Sequence, residues 1–221
     1  MKLLLSALAK FTCGLLMVGL LIFLPAGTLG YTYGWLFIGL LFIPMLIAGF
    51  VMLAKSPDFL AKRLDVKEKR SAQQGVVKLS GLMFIAGFVV AGLDFRFGWS
   101  QMPKAVTVAS VVLFLLAYLL YAEVMRENAY LSRTIQVEEG QTVVSTGLYG
   151  IVRHPMYMAT LLLFLVMPLV LGSWWALIPF AFYPAIIISR LKDEEELLTR
   201  ELAGYEEYKE KVKYRIIPFI W

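Results

Sequence analysis

The fold of this chain is decided by an uncharged stretch, Phe11 to Ala54, with the sequence FTCGLLMVGLLIFLPAGTLGYTYGWLFIGLLFIPMLIAGFVMLA. Its 44 residues, at about 1.5 Å each in a helix, would reach twice across a hydrocarbon core about 30 Å thick. The run must therefore fold back on itself, and the turn falls at PAGTLG, Pro25 to Gly30. We expect two membrane-spanning helices, near residues 11–26 and 33–53.

Further apolar runs of suitable length follow along the chain. The last of them is broken by Pro168 and by the residues Gly172 to Trp175, so it predicts two short spans joined by a hairpin. These runs place four more spans at 76–93, 105–122, 156–171 and 174–189. The predicted fold class is all-α: an integral membrane helical bundle of about six transmembrane helices, forming a single membrane domain over residues 1–221.

A signal peptide is an alternative interpretation of the first run, because Lys2 and Lys10 flank apolar residues. Against it, the run continues almost directly into a second span, and no small-residue cleavage site follows Leu24.

The composition agrees with a membrane protein. Of the 221 residues, 60% are hydrophobic and 17% charged, whereas soluble domains are about half apolar and about a quarter charged. Ordinary soluble and disordered proteins are therefore excluded. Cys13 is the only cysteine, so neither an intramolecular disulfide nor a cysteine-based zinc cluster can form.

The basic residues predict the orientation. Of the 21 lysines and arginines, only Arg96 and Lys104 fall on one side of the six-span arrangement. The positive-inside rule then places both termini, the long polar segments and the C-terminal helix in the cytoplasm. The net charge of +5 thus reports orientation, and we expect no nucleic acid partner.

The segment 54–75 predicts an amphipathic helix on the cytoplasmic side. It opens with Ser56-Pro57-Asp58, a favourable helix start, and then interleaves apolar and basic residues. Such a helix would lie on anionic headgroups, which makes membrane lipids a predicted partner. Charges that merely set topology on a connecting helix explain most of the same pattern.

The only histidine lies in the segment QTVVSTGLYGIVRHPMY, residues 141–157. Pro155 disfavours helical backbone at His154 and suits the first turn of a helix, so His154 should lie at a helix N-terminus at the membrane boundary. Free backbone N–H groups there would attract an anionic ligand. A capping loop with an interfacial histidine explains the residues equally well.

A second polar group follows the last span. Arg190 and Glu194 are four residues apart and should share a helix face. Asp193 and Glu196 are better explained as a solvated face. Beyond them comes an apolar stripe at helical spacing, which a helix packed on the bundle explains without any ligand: Leu198, Leu202, Tyr205, Tyr208 and Val212.

Several common motifs are missing. The sequence has no G-x-G-x-x-G after a strand, no Walker-type loop, no H-E-x-x-H and no histidine or cysteine cluster. The missing motifs therefore argue against soluble nucleotide-binding folds and hydrolytic metal chemistry, and we expect no metal. The lack of a mid-span acid or base also weakens the case for an ion-coupled transporter.

The motifs of residues 130–221 together resemble one family. They comprise Gly147-Leu-Tyr149, Arg153-His154-Pro155-Met156-Tyr157, Arg190-x-x-x-Glu194-Glu195, Tyr205-x-x-Tyr208 and Ile217-Pro218. Their order and spacing are similar to those of the isoprenylcysteine carboxyl methyltransferase family, which are membrane-embedded enzymes that use S-adenosylmethionine.

The resemblance implies a cofactor site and a substrate residue. Arg190 corresponds to the arginine that positions the substrate carboxylate. Gln136 is the nearest candidate for an earlier glutamine of the pocket, and Glu195 could replace Glu194, because the spacing to Tyr205 is one residue short. The implied residues for S-adenosylmethionine are Gln136, Gln141, Thr142, Val143, Val144, Tyr149, His154, Pro155, Met156, Tyr157, Glu194 and Glu195.

The resemblance further implies methyl transfer to a lipid-like or prenylated acceptor, here the carboxylate of an isoprenylcysteine-type substrate. Residues 1–125 would form the acceptor side and residues 130–221 the cofactor region. Three alternatives stay open: a phospholipid amine N-methyltransferase, with Glu195 or His154 as the proton acceptor; a non-catalytic or transporting protein of the same bundle; and, more remotely, a membrane reductase with a similar C-terminal region.

Overall fold

A computed structural model describes residues 2–65, 71–132 and 134–221, with Ser71 and Ala72 described by their backbone alone. Within these ranges the chain is helical and contains no strand, which confirms the all-α prediction. The α-helices are α1 Lys2–Ala26, α2 Thr32–Lys55, α3 Pro57–Leu64, α4 Ser71–Phe97, α5 Lys104–Glu127, α6 Pro155–Val170, α7 Leu177–Phe180, α8 Tyr183–Glu201 and α9 Tyr205–Lys211.

Among the described residues, four helices are long and apolar enough to cross a membrane: α1, α2, α4 and α5. Their spans of 24 or 25 residues support an integral membrane protein. The shorter α6 has 16 residues and would measure about 24 Å. Its end carries Pro168, and the predicted hairpin follows at Gly172, where φ is +73°.

The last predicted span, 174–189, is not one continuous helix. It consists of the single-turn helix α7, a short connection at Ala181 and Phe182, and the beginning of α8. Pro184 lies in the first turn of α8 and lacks the N–H that a continuous helix would use there. The count of six spans therefore stays a prediction, whereas four are supported.

The amphipathic helix predicted in segment 54–75 is shorter than expected. It corresponds to α3, and residues 66–70 of the segment lie outside the described ranges. Two of its cations contact protein groups: Lys62 Nζ lies 2.5 Å from Glu138 Oε2, and Arg63 donates to the Tyr121 hydroxyl. Lys62 and Arg63 therefore bind residues of the bundle, and not only water or lipid headgroups.

Close helix crossings are made at glycines. A Cβ at Gly92 of α4 would lie 2.4 Å from the Ile22 carbonyl oxygen of α1, so only glycine allows this approach of the two backbones. A Cβ at Gly87 would lie 2.3 Å from the ring of Phe180. These contacts hold α1, α4 and α7 together.

A buried acid outside the sequence motifs holds the C-terminal end of α6 in place. Asp94, at the end of α4, accepts hydrogen bonds from the Ser100 backbone N–H at 2.7 Å, from the Ser100 hydroxyl at 2.6 Å and from the Ser173 hydroxyl. Tyr31 donates to the Leu171 carbonyl oxygen in the same region. The candidate site lies at the N-terminal end of α6, and this network fixes the opposite end.

Candidate functional site

A cavity lies where the connection between α5 and α6 meets α8 and α9. The structure brings most of the predicted site residues together around it: Gln136, Gln141, Thr142, Val143, Val144, Tyr149, His154, Met156, Tyr157, Arg190 and Glu194. Two predicted residues, Pro155 and Glu195, do not line it. The following lining residues were not assigned to the site from the sequence: Asn128, Tyr130, Leu131, Ser132, Thr134, Ile135, Arg153, Leu198, Leu202, Tyr205 and Tyr208.

A glycine turn shapes one wall of the cavity. Gly147 has φ +53° and opens a short 3-10 helix, Gly147–Gly150. The Leu148 backbone N–H donates to the Glu127 carboxylate at 2.9 Å, and a Cβ at Gly147 would lie 1.5 Å from Glu127 Oε1. Asn128 Nδ2 donates to the Tyr149 hydroxyl at 2.9 Å. The end of α5 therefore positions Tyr149, and a side chain at Gly147 would have to displace the Glu127 carboxylate.

His154 directly precedes α6, as expected, but its backbone N–H is not free. This group donates to the Arg215 carbonyl oxygen, and the Arg153 N–H donates to that of Tyr214, each at 2.8 Å. The N–H groups of Tyr157 and Met158 in turn bond to the His154 carbonyl oxygen. Of the amides expected to be free at this helix start, those of His154, Tyr157 and Met158 are thus engaged internally.

Two residues of α8 meet one residue of α6 at the cavity. The Tyr157 hydroxyl donates to the Glu194 carboxylate, and Arg190 Nε donates to the Tyr157 hydroxyl at 3.2 Å. Arg190 and Glu194 are one turn apart and both line the cavity, which is the shared face that their spacing predicts. Tyr157 therefore holds an arginine and a carboxylate next to each other.

Glu195 points to a different set of partners. Its carboxylate accepts from Arg153 Nε at 2.7 Å, Arg215 Nε at 3.0 Å and His154 Nε2 at 3.3 Å. Burial would raise the pKa of this carboxyl, but hydrogen bonds and attraction from His154 and Arg153 outweigh it, and the pKa falls to about 2. Of the two adjacent acids, Glu194 faces the cavity, and Glu195 is an ionised anchor behind it.

Arg153 and Tyr208 attach the C-terminal segment to the site. Arg153 Nη1 donates to the carbonyl oxygens of Val212 at 2.8 Å and Lys213 at 3.0 Å. The Tyr208 hydroxyl donates to the Tyr149 carbonyl oxygen at 2.6 Å. Arg153 is only 8% exposed, so these bonds lie in a water-poor setting where they are hard to replace.

The apolar stripe at the end of α8 and in α9 has two functions in the fold. Leu202, Tyr205, Tyr208 and Val212 form a buried cluster with Val137, Val143 and Leu198, as a packing helix should. Four residues of the stripe also line the cavity: Leu198, Leu202, Tyr205 and Tyr208. The Tyr205-x-x-Tyr208 spacing was a signal for this second function, but packing alone explained the pattern.

The chemistry of the lining suits a nucleoside that carries an amino acid. Among the described lining residues, the side chains with full charges are Arg153, Arg190 and Glu194, and Glu195 neutralises Arg153. Amides of Asn128, Gln136 and Gln141 supply both donors and acceptors, and several tyrosines and valines supply apolar surface. Within the described ranges no group of three metal-ligating side chains is present.

Comparison with known proteins adds two findings. Residues 107–200 match the sequence model of the Isoprenylcysteine carboxyl methyltransferase (ICMT) family. The Delta(14)-sterol reductase TM7SF2 of Mus musculus is 32% identical over 91 residues, which are 40% of this chain and 22% of the reductase. The chain thus corresponds to about a fifth of that relative's length.

The matched residues contain most of α5, all of α6 and nearly all of α8, and they include the Tyr157, Arg190 and Glu194 contacts. The match confirms the resemblance that the motifs indicated and supports a membrane methyltransferase. Residues 107–200 of this chain are therefore similar to the isoprenylcysteine carboxyl methyltransferase family.

Proposed function

We propose that this protein transfers a methyl group from S-adenosylmethionine to the carboxylate of a lipid-like or prenylated acceptor, of the isoprenylcysteine type. The observation that carries the proposal is the contact of Arg190 and Glu194 with the Tyr157 hydroxyl at the cavity. In the proposal, Arg190 would bind an anionic acceptor and Glu194 would bind the cofactor, and both contact the same hydroxyl.

Both polar and apolar residues of the cavity would hold the cofactor. Glu194 would accept hydrogen bonds from its amino or hydroxyl groups, and Gln141 and Gln136 would bond its polar edges. Val143 and Val144 would cover its apolar surface. When bound, S-adenosylmethionine supplies an electrophilic methyl group on a sulfonium.

Arg190 would orient the acceptor. Its planar guanidinium suits a carboxylate, and its link to Tyr157 restricts its position before the acceptor arrives. An acceptor carboxylate is already ionised at neutral pH, so no residue has to remove a proton. Positioning and exclusion of water are then the main contributions of the protein, worth several kcal/mol in such reactions.

The test is an acceptor comparison with the detergent-purified chain and methyl-labelled S-adenosylmethionine. We expect label on a prenylated cysteine with a free carboxylate and none on the corresponding carboxamide, which Arg190 cannot bind as an ion pair. Label on the amide, or on the amine of phosphatidylethanolamine instead, would contradict the proposed acceptor.

Amine methylation has less support in this site because it needs a proton acceptor. Glu195 is a weak base, since its pKa falls to about 2, and the His154 ring is hydrogen-bonded to it at 3.3 Å. Both residues named for that role are therefore engaged with each other.

The match to a sterol reductase favours one second candidate, a reductase that takes hydride from a nicotinamide cofactor. A dinucleotide carries several phosphate charges and needs cations that are not already neutralised. The charged side chains among the described lining residues are nearly balanced, which suits a zwitterionic cofactor better. Titration with NADPH tests this candidate: saturable binding of NADPH without binding of S-adenosylhomocysteine would replace our proposal.

A further inference from the structure

Two tyrosines of α9 differ in one respect that the proposed reaction does not explain. The Tyr208 hydroxyl donates to the Tyr149 carbonyl oxygen at 2.6 Å. Tyr205 is 3% exposed, and its hydroxyl has no hydrogen-bond partner among the described residues. Both side chains line the cavity, and both lie beyond residues 107–200, the part that matches the family.

A buried hydroxyl without a partner is unfavourable, because it has lost its bonds to water and gained none in return. Native proteins keep such a group mainly where a water, an ion or a ligand satisfies it. The described surroundings of Tyr205 include a cavity in which a ligand can do so.

The backbone holds Tyr205 firmly in place. Gly204 has φ +82° and ends the turn before α9, and the Tyr205 N–H donates to the Leu202 carbonyl oxygen at 3.2 Å. The ring packs in the cluster of Leu202, Val143 and Leu198. The ring is therefore fixed beside the cavity, and the hydroxyl cannot reach bulk water without breaking this packing.

The nearest acids are already occupied. Glu195 accepts from Arg153, Arg215 and His154, and Glu194 accepts from Tyr157. Burial, followed by the charges of Glu195 and Glu194, raises the pKa of Tyr205, so its hydroxyl keeps its proton at neutral pH. It can therefore donate to a ligand as well as accept from one.

We propose that the Tyr205 hydroxyl is a hydrogen-bonding contact of the nucleoside cofactor in this cavity. The inference rests on the proposed function, because it takes S-adenosylmethionine as the ligand. Tyr205 is then a binding residue contributed by α9, outside the region that the family match covers.

The test compares Tyr205→Phe with wild type in two measurements on the full chain in detergent: calorimetric titration with S-adenosylhomocysteine, and thermal unfolding without ligand. The matched control is Tyr118→Phe, since the Tyr118 hydroxyl donates to the Leu41 carbonyl oxygen at 2.7 Å and Tyr118 does not line the cavity. Both substitutions remove one phenol oxygen and keep the ring.

We expect Tyr205→Phe to weaken S-adenosylhomocysteine binding about three- to tenfold, the range of one hydrogen bond, without lowering the unfolding midpoint of the free protein. Tyr118→Phe should lower the midpoint and leave the affinity unchanged. If Tyr205→Phe binds as tightly as wild type, or loses as much thermal stability as Tyr118→Phe, the inference is wrong while the proposed function stands. If wild type itself does not bind, the proposed function fails first.

Discussion

At the scale of single residues, Gly147 makes the strictest demand on the site. Its φ of +53° disfavours any side chain, and a Cβ would overlap Glu127 Oε1 at 1.5 Å. We expect Gly147→Ala to destabilise the protein by about 2–4 kcal/mol, from backbone strain and the displaced Glu127 together. Gly98→Ala separates the two causes, because Gly98 has φ +64° and open space around it. Equal losses of unfolding midpoint for both variants would show that the Glu127 contact contributes nothing.

Glu195 predicts a dependence of stability on pH. Its pKa falls from an ordinary 4.5 to about 2, so its stabilising effect is complete above pH 4.5 and is lost as the pH drops toward 2. The shift changes the free energy of unfolding by an amount on the order of 3 kcal/mol. The Glu195→Gln substitution should also leave Arg153 buried without its anion.

Thermal unfolding of wild type and Glu195→Gln between pH 7 and pH 2 measures this effect. The difference between their midpoints should stay constant down to about pH 5 and then shrink. Glu123→Gln is the control, because Glu123 pairs with Arg126 on an exposed surface and should change little. A difference that grows toward low pH would contradict the role of Glu195.

These residue-level contacts mark the limit of what the sequence could predict. Arg190 and Glu194 are neighbours through helical spacing alone, so their contact with one cavity was predictable. Arg153 and Glu195 are 42 residues apart, and Glu195 and Arg215 are 20 apart. No local periodicity relates such partners, and the choice between Glu194 and Glu195 needed the packing of α8 against α6 and the C-terminal segment.

At the scale of elements, α8 supplies both of the charged residues that the proposed reaction needs. Arg190 should bind the acceptor and Glu194, one turn later, the cofactor. We therefore expect Arg190→Ala to reduce methyl transfer at least a hundredfold while S-adenosylhomocysteine binds within about threefold of wild type, because a lost ionic contact to the acceptor is worth about 3 kcal/mol. Calorimetry and the labelled-methyl assay on one preparation measure both quantities. Parallel loss of affinity and transfer would mean that Arg190 holds the cofactor site together instead.

The helices were predicted well where charged residues flank a long uncharged run. The uncharged residues 11–54 became α1 and α2 with a turn between them, since long apolar runs can only be helical in a membrane. The run 174–189 was misjudged as one helix because its apolar composition does not reveal the break at Ala181 and Phe182. Hydropathy indicates burial in lipid, whereas the continuity of a helix depends on local residues such as Pro184.

At the scale of the whole molecule, the distribution of lysine and arginine predicts which end faces the cytoplasm. The loop between α4 and α5 should lie outside and α9 inside. In a Cys13→Ser background, a membrane-impermeant maleimide should label Gln101→Cys in intact cells and Glu206→Cys only after lysis. Both positions are exposed in the structure, so packing does not limit the access of the maleimide. The reverse labelling pattern would invert the predicted topology.

The central claim is that the cavity between the α5–α6 connection, α8 and α9 binds S-adenosylmethionine through Glu194. The most direct measurement is calorimetric titration of the purified chain with S-adenosylhomocysteine, with wild type and Glu194→Ala compared. Saturable binding by wild type and at least tenfold weaker binding by a folded Glu194→Ala are predicted, since a charged hydrogen bond is worth about 1.5–3 kcal/mol. Equal affinity in the two proteins, or no binding by a folded wild type, would contradict the account.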